Sequence, residues 1–177
     1  MRRIRVLFVD DLASARKLYL RALDPERFEV SVATSVQEAE EKIKQDLPEV
    51  VVTDLRMPEV DGLEGLRRFH RIEPELPVIL ITAFGSVETA VEAMRQGAYD
   101  YVRKPFDPGE VEILIERAAR HQDLVQENRR LRTEVSQRFS RDKIVYAAPA
   151  MRTVMNLVDR VAQTDFTVLI QGESGTG

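Results

Sequence analysis

Five short apolar runs, most of them rich in β-branched residues and nearly unbroken, alternate along this chain with amphipathic stretches, and that alternation restricts the fold more than any other feature. The runs are Ile4–Val9, Phe28–Ala33, Val50–Thr53, Val78–Ile81 and Tyr99–Val102. A strand that is apolar at every position has no face to give to water, so it belongs inside a sheet covered on both sides. Between the runs, apolar residues recur at helical spacing: Ala15, Leu18 and Ala22; Ala39 and Ile43; Leu63, Leu66, Phe69 and Ile72; Val87, Ala90, Val91 and Met94. Ser14 and Ser35 stand where N-caps are needed, Gly97 where a helix ends, and Pro48 and Pro77 just before strands. Five strand–helix units in succession predict an α/β fold, a five-stranded doubly wound parallel sheet with right-handed crossovers. The alternation alone leaves several strand orders open. In all of them ligands bind beyond the carboxyl ends of the strands.

That edge is acidic. Asp10 and Asp11 end the first strand and Asp54 ends the third. Alone, each reads as a helix cap or a solvated strand end. Together they bring like charges to one rim, where they repel unless a cation lies among them. Oxygen ligands without His or Cys suit Mg²⁺, which binds few protein carboxylates and keeps several waters. A bound Mg²⁺ neutralises an incoming phosphoryl group, and a carboxylate can serve as its nucleophile. Thr82 after the fourth run and Lys104 after the fifth add a hydroxyl donor and a point charge for phosphoryl oxygens on the same edge.

The segments Val9-Asp10-Asp11, Thr53–Leu66 (TDLRMPEVDGLEGL), Ile81-Thr82-Ala83 and Gly97–Phe106 (GAYDYVRKPF) together resemble the receiver domain of bacterial response regulators. The resemblance covers roughly the first 120 residues. It implies the flavodoxin-like, CheY-like strand order 2-1-3-4-5, with Asp54 as phosphoacceptor. It implies Mg²⁺ held by Asp11, Asp54 and the backbone carbonyl of Arg56, with Asp10 acting mainly through water. Thr82 and Lys104 would each engage a phosphoryl oxygen. A cis peptide at Lys104-Pro105 would aim the lysine inward. Tyr101 would swing inward as Thr82 is drawn to the phosphate, a two-state change read out on the fourth helix, fifth strand and fifth helix. The partner so implied is a sensor histidine kinase, and the receiver catalyses its own phosphotransfer and dephosphorylation.

From Pro108 to about Arg138 only Gly109 interrupts a densely charged run, which predicts one long helix. Within it Leu124, Asn128, Leu131 and Val135 alternate at spacings of four and three. Leu124 and Leu131 at d, with Asn128 and Val135 at a, form the seam of a parallel two-stranded coiled coil. Glu127, Arg130, Arg132 and Glu134 could flank it; the competing reading is a helix packed on its own domain or a solvated linker. Upstream, Leu114, Ile115 and Ala118 are expected to cover the sheet. Then Ala150–Thr164 reads as a helix, Phe166–Ile170 as a strand, and the end as a glycine loop with Gly172, Gly175 and Gly177. Gly172 and Gly177 have P-loop spacing, without the lysine and hydroxyl residue that complete it. This stretch resembles the opening of the AAA+ ATPase domain of NtrC-type, sigma-54-dependent activators. The expected division is a receiver over 1–121, a coiled-coil linker helix over 122–139 and the start of an ATPase domain over 140–177. The chain is then a fragment without ATPase activity. ATP, sigma-54 RNA polymerase and DNA would be engaged only through regions absent from it, and the tail beyond Phe139 would lack its packing partners.

Composition narrows the alternatives. The 177 residues carry a net charge of −4 and no cysteine, which excludes disulfides and thiolate metal sites and gives no bulk attraction to nucleic acid or anionic membrane. The apolar run after the first arginines stops at Asp10, too short for a signal peptide, and the expected location is cytoplasmic. Two rivals remain. An aspartyl-phosphate phosphatase would want an aspartate two residues after its nucleophile, where Arg56 stands. A pseudo-receiver would use the same fold only to dimerise.

Overall fold

The computed structural model describes residues 2–83, 86–138, 148–162, 164, 167–169 and 171–172, with the side chains of 134–138 excepted. Its first unit, ending at Leu131, is built on a five-stranded sheet. The strands are β1 (Ile4–Val9), β2 (Phe28–Ala33), β3 (Val50–Asp54), β4 (Val78–Thr82) and β5 (Asp100–Arg103), all paired in parallel in the order β2-β1-β3-β4-β5. The helices between them are α1 (Ala13–Ala22), α2 (Val36–Gln45), α3 (Gly62–Ile72) and α4 (Val87–Arg95), followed by α5 (Pro108–Arg138).

The two-residue period of a strand divides the apolar runs between two cores. Val6, Phe8, Val50, Val52, Ile79 and Ile81 pack under α1 and α5, against Tyr19, Val111, Ile115 and Ala118. Leu7, Val9, Val51, Val78 and Leu80 pack under the other helices, against Val36, Ile43, Leu66, Phe69 and Ala93. Each such buried aliphatic or aromatic side chain contributes about 1.5–3 kcal/mol. Two layers of them explain why the central stretches Val50–Val52 and Val78–Ile81 carry no polar positions. Leu114 packs beside the first core, so the opening turns of α5 cover the sheet as its sequence requires.

Local signals act as their chemistry predicts at several helix ends. Ser35 accepts from Glu38 N at 3.2 Å, and Asp61 accepts from Glu64 N at 2.8 Å. After α4, Gly97 takes φ 94°, while Gly97 N bonds Met94 O and Ala98 N bonds Ala93 O, a Schellman closure that turns the chain into β5. Ser14 is not a cap. Helix α1 starts two residues earlier than a Ser14 cap would place it, with Leu12 at the cap position and no side-chain bond there; Leu12 N is instead satisfied by Asp10 Oδ1 at 2.9 Å.

Two apolar stripes face differently from their spacing. On α1 the buried residue is Tyr19, 5% exposed, while Leu18 is 55% exposed. On α4, Val87, Val91 and Met94 point outward and Ala93 packs on the sheet.

Helix α5 is continuous for 31 residues. Beyond its sheet-covering turns, Leu124 is 67% and Leu131 49% exposed, and Asn128 is exposed as well. The Val135 side chain lies outside the described residues. Arg129 Nη2 lies 3.7 Å from Glu75 and Nη1 3.9 Å from Glu73, both in the α3–β4 connection. The second unit begins at Arg132 and contains α6 (Pro149–Val161), close to the helix expected from the sequence. Residues 167–169 are not in a strand, and Phe166 and Ile170 lie outside the described residues. Of the loop glycines, Gly172 is described, without regular structure; Gly175 and Gly177 lie outside. Among the described residues no helix is long and apolar enough to cross a membrane.

Candidate functional site

Parallel pairing brings the strand ends to one edge. Asp10 directly follows β1, Asp54 closes β3, Thr82 closes β4 and Lys104 follows β5. Register fixes their mutual height: Val9 lies beside Thr53, Asp54 beside Ile81, and Thr82 beside Arg103. The rim is tied by backbone bonds from Leu55 N to Ile81 O at 2.8 Å and from Lys104 N to Thr82 O at 2.7 Å.

Lys104 is the centre of this edge. Its Nζ donates to Asp54 Oδ2 at 2.5 Å and to Asp10 Oδ2 at 3.2 Å. Asp10 is 1% exposed and Asp54 11% at the side chain, so both charges sit largely out of water. Burial opposes the lysine's charge, but its hydrogen bond to Asp54 and the charges of Asp10 and Asp54 prevail, holding it above the ordinary lysine range. The Lys104–Pro105 peptide is cis.

The remaining acid contacts come from the turns. Arg56 N donates to Asp54 Oδ1 at 2.9 Å, closing a short side-chain turn that leaves Oδ2 for the lysine. Arg16 of α1 donates to the carbonyls of Asp10 and Asp11 at 2.6 and 2.8 Å, pinning the loop that carries both acids. Tyr19, one turn further along α1, donates to Asp10 Oδ2 at 3.0 Å and stacks on Phe8 with ring centres 4.4 Å apart. Burial, then the charge of Asp10, push its phenol above the usual tyrosine range.

Asp10, Asp54 and Lys104 are thus gathered in direct contact, with the backbones of Asp11, Arg56 and Thr82 beside them. Thr82 is fully buried. Tyr101 is half-buried against the second core, and its hydroxyl is buried with no hydrogen-bond partner among the described residues. The donor set fits a hard cation in kind, being oxygen throughout. Among the described residues no three acidic or imidazole side chains close around one point. Mg²⁺ asks for less, because one or two carboxylates with waters suffice.

Arg16 and Tyr19 do not stand out in the sequence as site residues. A signal for them exists: they lie six and nine residues after Asp10, one turn apart on a single helix face, and Tyr19 is the one aromatic on a helix that follows the acids directly. Gly62 is likewise hidden inside a longer motif. A Cβ there would lie 2.4 Å from Asp54 O, so glycine is what allows α3 to start against the end of β3.

Comparison with known proteins agrees with this architecture. Residues 6–116 match the response regulator receiver domain, and residues 144–177 match the sigma-54 interaction domain. Regulatory protein AtoC of Escherichia coli (strain K12) is 39% identical over 173 residues, covering 98% of this chain and 38% of AtoC. The chain therefore spans about two fifths of the length of the curated relatives it matches. Among solved structures, NtrX from Brucella abortus in complex with ADP is similar at TM-score 0.69 and 32% identity, over 92% of this chain and 35% of that one. The beryllofluoride-activated NtrC4 receiver domain dimer is similar at TM-score 0.63 and 36% identity, over 67% of this chain and 98% of that one.

Proposed function

Since the chain belongs to the response regulator receiver family, we propose that it takes a phosphoryl group onto Asp54 and thereby controls an attached sigma-54-dependent activator of transcription. The observation that carries this reading is Lys104 Nζ held between Asp54 Oδ2 and Asp10 Oδ2 at the carboxyl edge of a parallel sheet. A lysine in that place is a positive charge already waiting where phosphoryl oxygens would arrive.

In the proposed reaction an Asp54 carboxylate oxygen attacks phosphorus in line. The new O–P bond forms as the bond from phosphorus to the donor, a kinase histidine or a small acyl phosphate, breaks and leaves its electron pair on the donor. Arg56 N fixes the carboxylate through Oδ1 and leaves Oδ2 to react. Lys104 turns from the carboxylates to a phosphoryl oxygen, and the Thr82 hydroxyl donates to another. Asp11, Asp54 and the Arg56 carbonyl would hold Mg²⁺, with Asp10 reaching it through water; the ion would supply charge against the phosphoryl dianion. Tyr101, its hydroxyl already inside the protein, would take up the space that Thr82 leaves. The readout would run through β5, α5 and the outward apolar face of α4, where Val87, Val91 and Met94 are exposed. The test is chemical. Incubated with acetyl phosphate, the chain is expected to gain the mass of one phosphoryl group in Mg²⁺ and none in a chelator, the product being lost in alkali. A chain that stays unlabelled in Mg²⁺ would be a pseudo-receiver.

We further propose homodimerisation through receiver and linker. Exposed Leu124, Asn128 and Leu131 on a continuous α5 support a seam there, while Arg129 at a b position engages the α3–β4 connection and leaves that seam free. The proposed division remains a receiver over 1–121, a linker helix over 122–139 and the start of an ATPase domain from 140. ATP, DNA and sigma-54 RNA polymerase would be engaged by the longer protein. In sedimentation at high concentration the wild type is expected to run as a dimer. Leu131→Asp should weaken association at least tenfold, the effect of about 1.4 kcal/mol, and Asn128→Ala should weaken it less or not at all. A monomeric wild type discards the seam.

A further inference from the structure

The geometry points to Tyr19 as a positioning residue of the phosphoryl site: its hydroxyl holds Asp10 so that Lys104 can leave Asp10 for the phosphoryl group. The inference rests on the phosphoacceptor reading above.

Asp10 is almost wholly buried, and the contacts of both its oxygens are on view. Oδ1 accepts from Leu12 N at 2.9 Å, and Oδ2 is shared by Tyr19 OH at 3.0 Å and Lys104 Nζ at 3.2 Å. A carboxylate in that position tolerates the loss of one donor only if another stays. In the unphosphorylated site Lys104 is divided between Asp10 and Asp54. Once it moves to phosphoryl oxygens, Oδ2 keeps Tyr19. Without the phenol, the same movement would strip Oδ2 of its protein donors in a place 1% exposed, and Asp10 would hold the lysine back.

The phenol is held in place by its ring contacts. Its ring stacks on Phe8 at 4.4 Å and lies parallel to Phe106 at 6.5 Å, with Tyr19 only 5% exposed. Arg16, one turn back, anchors the same helix to the carbonyls of Asp10 and Asp11. A phenol is protonated at physiological pH, so the hydroxyl is a donor to the Asp10 carboxylate. A phenylalanine would keep the same ring contacts; the hydroxyl is what the packing does not require.

The experiment compares wild type, Tyr19→Phe, Asp10→Asn and the double variant of the full chain. Each is phosphorylated with acetyl phosphate in saturating Mg²⁺ and followed by intact mass, with thermal melting alongside. Tyr19→Phe keeps the ring, so its melting temperature is expected to stay close to wild type while its phosphorylation rate falls about tenfold. In the Asp10→Asn background the same change should alter the rate less than twofold, because the neutral amide no longer holds Lys104. Equal slowing in both backgrounds would show a merely structural effect and overturn the proposal, as would a wild-type rate in Tyr19→Phe. A wild type that takes no label would sink the phosphoacceptor reading instead, a result distinct from labelling that is indifferent to Tyr19.

Discussion

Asp54→Asn is expected to abolish phosphoryl uptake from acetyl phosphate in Mg²⁺, leaving no added mass under conditions that label the wild type. The replacement is nearly isosteric. Its carbonyl oxygen can still accept from Arg56 N, which donates to Asp54 Oδ1 at 2.9 Å. What disappears is the carboxylate nucleophile, together with half of the charge that holds Lys104 between two acids. The variant loses one charge-assisted bond and is relieved of one of the neighbouring like charges. These oppose each other, so its melting temperature should lie near that of the wild type, and the loss of label cannot then be attributed to unfolding. Labelling of the variant at the wild-type level would move the acceptor to another side chain and leave Asp54 without a part in the chemistry.

Gly62→Ala should show the largest structural effect of any single methyl group near the site. The added Cβ would stand 2.4 Å from Asp54 O and 2.8 Å from Leu55 Cα. Both are backbone atoms of the segment that ends β3, so no side-chain rotation can relieve the clash. Gly62 N also bonds Leu55 O at 2.9 Å, and Asp61 caps α3 at the same point. The first turn of α3 must lift from the strand or drag Asp54 with it. Overpacking of this kind costs about 1–3 kcal/mol, and more where only backbone can yield. Thermal melting is expected to drop by several degrees, with slower phosphorylation as Asp54 shifts relative to Lys104. Gly65→Ala is the control: its Cβ would meet the Val36 side chain at 3.0 Å, a contact that a few tenths of an ångström relieve. Equal melting of the two variants would contradict the close approach described at Gly62.

The sheet was legible because its runs obey two rules at once. Val50, Val51 and Val52 are apolar in succession, which only a doubly covered strand tolerates, and Asp54 breaks the run where the strand leaves the core. Strand order was not written in the runs, since βα units alone do not say which neighbour a strand chooses; family resemblance supplied it. The site residues at strand ends were legible for the same reason that they converge: a parallel sheet puts every carboxyl end on one edge. Helix faces were less legible. On α4 the spacing of Val87, Val91 and Met94 is that of a buried stripe, yet Ala93 is the residue on the sheet. Periodicity reports that a helix has an apolar face and not which layer that face meets. Tyr19 stays hidden because its ring behaves as core, and the hydroxyl acquires meaning only when α1 is laid beside Asp10.

Lys104 has one further consequence. A rim of aspartates left to itself would push the ends of β1 and β3 apart, and the folded state would depend on whichever divalent ion was at hand. By binding Asp10 and Asp54 together, the lysine serves as an internal counterion to both acids. In the proposed reaction, assembly of the scaffold and arming of its chemistry would be separate events, joined by the swing of one ammonium group.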